Sequence, residues 1–186
     1  MNYRNSSCLR LLLTGLVMGL ALLLSLGASY ADSTDEKLVP ALSSPSPQVN
    51  QSLLNRRLQA VKLDIKAFQS FAENFRSSGD LKTLLQLQNP VDDYLKKHVD
   101  NLLVQESEDS PLETTRLAAE VMFLKTRLFL SLNQVNSARN AVADMKKRFS
   151  HYLQMSVELP GKTTTLDEGI RLLDEELANT ATPEKK

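Results

Sequence analysis

The clearest periodicity in the chain is a series of apolar residues at Leu54, Leu58, Val61, Ile65, Phe68, Ala72 and Phe75, spaced alternately four and three apart. At 3.6 residues per turn this spacing puts all seven on one stripe, so it predicts a helix carrying an a/d seam three heptads long. Gly79 predicts the stop, and Asp80 the cap of a short turn over 81–88. Asn89-Pro90-Val91-Asp92 then reads as a fresh helix start: Asn89 caps, Pro90 takes the first helical position, and Asp92 and Asp93 face the positive end of the dipole. That second helix is expected to bury Val91, Tyr94, Leu95, Val99 and Leu102 and to end in the acidic stretch 106–110.

Ser110-Pro111-Leu112-Glu113 has the form of a capping box, predicting a third helix to about Leu132. It is apolar nearly all round, as a helix touched on several sides would be. After Asn133, Val135, Ala138, Val142, Met145 and Phe149 predict a fourth helix, with Lys146, Lys147 and Arg148 complementing its negative end. In 150–164, Leu153, Met155, Val157 and Leu159 alternate as in a strand, but no partner strand stands out, and the segment reads as an ordered loop. Thr165-Leu166-Asp167-Glu168 predicts a short last helix that turns Leu166, Ile170, Leu173 and Leu177 inward. The expected fold is all-α, an up-and-down bundle of four long helices plus a short C-terminal one, over residues 51–178 with a polar tail at 179–186.

Residues 122–150 resemble a single tetratricopeptide-type hairpin. Phe129 stands at the large aromatic position of its first helix, Asn133 at the turn, Ala138 at the small crossing position and Val142 at the next core position. The resemblance implies an antiparallel helix pair there. Asn133 and Thr126 replace the usual glycines, Ser150 stands where proline is common, and no second copy lies 34 residues to either side.

The N-terminal region has a different pattern. Arg4 and Arg10 precede an uncharged apolar run of 16 residues, 11–26, and Ser29-Tyr30-Ala31 supplies a small-x-small end. This reads as a cleavable secretory signal at 1–31, cut after Ala31, which places the mature chain in the periplasm or outside the cell. The alternative is an inner-membrane anchor formed by 11–26, a short span against the ~20 apolar residues a bilayer needs. Residues 32–50, with Pro40, Pro45 and Pro47 among serines, read as an extended linker.

The 22 basic and 22 acidic side chains balance, which argues against a nucleic-acid binder, since a phosphate-tracking surface needs a basic excess. The single cysteine, Cys8, leaves with the signal and excludes an intramolecular disulfide or a cysteine-based metal site. Nucleophile elbow, phosphate loop, dinucleotide fingerprint, haem-attachment and HExxH motifs are absent from the sequence. Asp92-Asp93 reads as helix-dipole complementation, and Asp174-Glu175-Glu176 as a solvated face.

No catalytic residue, cofactor or metal is therefore implied, and the expectation is a non-enzymatic adaptor or assembly factor. Its partner would be another envelope protein or a second copy of itself, with membrane contact only if the signal is retained. The seam Leu54, Leu58, Val61, Ile65, Phe68 and Phe75 is the candidate docking surface, because such a stripe either closes a bundle internally or receives a partner helix. The alternative is a bundle that binds a small ligand or metal through His98 or His151, with Met122, Met145 or Met155 completing a copper site.

Overall fold

The computed structural model describes residues 47–107 and 109–181, so the signal and most of the linker lie outside the described residues. Helix α1 is Pro47–Ser77. It covers the last residues of the segment expected to be a linker, from Pro47 on. Helix α2 begins as Leu81–Tyr94, continues through a π-helical stretch, Leu95–Asp100, and closes with Asn101–Leu103. Helices α3 and α4 are Leu112–Ser131 and Val135–Arg148. Strands β1, Ser156–Leu159, and β2, Lys162–Thr165, lead into helix α5, Leu166–Ala181. Among the described residues the regular structure is helical apart from that hairpin.

Bonds between elements set the directions. Thr114 donates to Asn55 and Lys62 bonds Glu120, so α1 and α3 run the same way. Lys125 reaches Asp100, and Gln88 donates to the Leu132 carbonyl, so α2 runs against α3. Helix α4 returns along α3, and Lys146 bonds Asp174 across to α5. The seam of α1 is closed by α3 itself: Leu58 and Ile65 are fully buried, as are Leu117, Val121 and Leu128 on α3. Burying one such side chain is worth roughly 1.5–3 kcal/mol, and this is the main adhesive of the fold.

Four expectations are corrected. The short turn and second helix are one rod, with Pro90 inside it. Leu84, Val91 and Leu95 stay in register across the proline, and their burial outweighs the ~3 kcal/mol that an interior proline costs. The box at Ser110 does not form: its Oγ accepts from the Ser107 N–H, and the N–H groups of Thr114 and Thr115 bond the Pro111 carbonyl instead. The segment expected to be a loop is a hairpin, pairing Ser156 with Thr165 and Leu159 with Lys162. Pro160-Gly161 makes its turn, Gly161 at φ +87°, which glycine adopts without strain. The tail expected from 179 is helical through Ala181.

The turns follow the sequence closely. Gly79, at φ +73°, ends α1 while Asp80 caps α2 by accepting from the Thr83 N–H at 3.0 Å, and the bonds from Thr83 lower the Asp80 pKa. Asn133, at φ 60°, ends α3 with the Gln134 N–H on the Phe129 carbonyl. This is the left-handed C-cap that glycine usually fills. Ala138, fully buried, lets α4 cross close to α3.

Candidate functional site

Leu54, Leu58, Val61 and Ile65 lie in the core against α3, and Phe68 and Phe75 are half-buried at its edge. The candidate seam is thus closed within the chain. Phe68 packs edge-on against Tyr94, whose hydroxyl donates to Asp64. Burial, together with that carboxylate, raises the Tyr94 pKa.

His98 and His151 are both exposed, and His98 stacks on Tyr94 with ring centres 5.0 Å apart. Among the described residues no three His, Cys, Asp or Glu side chains converge as a metal site. Met122 and Met145 are buried on α3 and α4. Among the described residues no helix is long and apolar enough to cross a membrane.

Two carboxylates organise the interior. Glu120, only 1% exposed on α3, accepts from Lys62 of α1, from Arg116 at 3.0 Å and from the Glu158 N–H of β1 at 2.8 Å. Arg116 is also held by Glu113, whose pKa it lowers by hydrogen bonding. An acid set in the apolar run from Leu117 to Leu124 of α3 is the sequence signal for this knot.

The second carboxylate is Glu106, beyond the end of α2. Arg148, from the last turn of α4, bonds its Oε2 through Nε at 2.9 Å and Nη2 at 2.6 Å. The same Nη2 reaches the Leu103 and Glu106 carbonyls, and Thr115 donates to the other carboxylate oxygen at 3.1 Å. Arg148 thus does more than complement a helix dipole: it ties α4 to the end of α2.

Beside this pair, an open cleft of about 700 Å³ lies between the end of α2, α3 and α4. Leu103, Val104, Met122 and Tyr152 give it apolar surface. Its charges are balanced, Asp100, Glu106 and Asp144 against Lys125, Lys147 and Arg148. Val104 is 79% exposed, the highest value among the exposed large apolar side chains of the described residues. The π-helical stretch shapes this wall, since it ends at Asp100, whose carboxylate takes Lys125 at 2.5 Å. Wide helical turns of this kind recur at functional sites.

No protein-family model matches the chain, and no curated protein or solved structure shows a significant match to it.

Proposed function

We propose that the chain is an exported, non-enzymatic adaptor or assembly factor of the cell envelope, and that it docks a segment of another protein in the cleft between α2, α3 and α4. Export rests on the signal pattern of residues 1–31. The observation that carries the docking reading is Val104, exposed at the rim of a cleft that combines apolar surface with balanced charge. Apolar surface gathered in a concavity with a few placed charged groups is the usual form of a binding site, and Val104 adjoins Leu103, Met122 and Tyr152 there. The equal numbers of acids and bases suit a peptide segment with an apolar anchor and flanking charges of both signs, and do not suit a polyanion.

The reading is tested by Val104→Arg and Leu63→Arg in the tagged full-length protein. Leu63 is 68% exposed on α1, which contributes no lining residue to the cleft, and so serves as the control. Both variants should keep the wild-type helical circular dichroism. Co-purification of a defined envelope protein should fall at least tenfold for Val104→Arg and stay unchanged for Leu63→Arg. Equal capture by both variants would end the proposal.

A further inference from the structure

We infer that the Glu106–Arg148 pair is a latch that holds one wall of the cleft, and that its release widens the cleft down to Met122. Hydrogen bonds from Val104, Gln105 and Ser107 stay local, running to Asp100, Asn101, Leu102 and Ser110. The hydrogen bonds that reach 104–107 from α3 and α4 all end on Glu106, from Thr115 and from Arg148. Packing holds the wall only as far as the buried Leu102 and Leu103, because Val104, Gln105 and Ser107 beyond them are exposed. Arg148 alone joins α4 to both the Leu103 carbonyl and the Glu106 backbone. Met122, 7% exposed, lines the same cleft. The pair therefore sets how far the cleft opens. This deepens the docking reading by giving that site a gate, but the test below needs no partner, so the two fail separately.

The test is the rate of hydrogen peroxide oxidation of Met122 in the full chain, read by peptide mass spectrometry against Met145. Met145 is fully buried on α4 and does not line the cleft, so it reports general loosening. In Arg148→Gln the Met122 rate should rise at least fivefold while Met145 stays within twofold of wild type. Arg148→Lys, which keeps the charge but loses the fork, should fall between. An unchanged Met122 rate in folded Arg148→Gln overturns the latch. A parallel rise at both methionines would make the pair a general brace and overturn it equally. Should Arg148→Gln fail to fold, the same ratio is read in Glu106→Gln.

Discussion

Glu120 and Glu106 are both nearly buried carboxylates, each held by a long basic side chain, yet their surroundings give them different work. Glu120 joins α1, α3 and β1, elements that the apolar core already presses together. It neutralises Lys62, itself only 7% exposed, inside a packed interface. Glu106 serves a wall that beyond the buried Leu103 is exposed at 104, 105 and 107, with an open cleft beside it. The same pairing chemistry thus reinforces the fold where packing surrounds it and governs local opening where packing is thin.

The comparison can be broken at its stronger end first. Glu120→Ala leaves the Lys62 charge buried without its partner, and should cost roughly 3–5 kcal/mol in urea denaturation, with all probes unfolding together. Ile65→Ala, a cavity in the seam, should cost roughly 2–4 kcal/mol in the same assay. Glu106→Gln should cost roughly 1–2 kcal/mol, and hydrogen exchange should rise at 103–107 well before it rises in 117–130. A loss of protection spread evenly over both segments would erase the distinction between the two carboxylates. The smallest effect is expected at a turn that belongs to neither: Asn133→Ala should cost about 1 kcal/mol, because alanine pays for the left-handed conformation, and Asn133→Gly should cost nothing measurable by thermal melting.

Much of the helical architecture was legible because it depends on local spacing. The four-three pattern from Leu54 to Phe75 predicts a buried stripe, and Gly79-Asp80 predicts a stop and a cap. What was misread depended on partners distant in sequence or on competition between signals. Pro90 looks like a helix start until the burial of Leu84 and Val91 on either side of it is known. The alternation ending at Leu159 marked β1, but strand β2, Lys-Thr-Thr-Thr, carries none, so the partner strand was hinted at only by Pro160-Gly161 and the β-branched run.

The π-helical stretch has its own trace. Val91, Leu95, Val99 and Leu103 step by four, which drifts about 40° per step around an α-helix, and a wider turn absorbs that drift. The candidate docking seam was sound as a helix, but the sequence leaves open what covers it, and α3 does. The cleft was invisible, since Val104, Met122 and Arg148 meet only once three helices are assembled.

The central claim, that the cleft receives a partner, is tested most directly by placing a photo-cross-linking amino acid at position 104 of the full-length chain in living cells, with position 63 as the control. The expected result is one defined envelope protein joined through position 104 and absent at position 63, identified by mass spectrometry of the captured band. Cross-links of equal yield at both positions, or none at 104 while the protein is folded and exported, would contradict it.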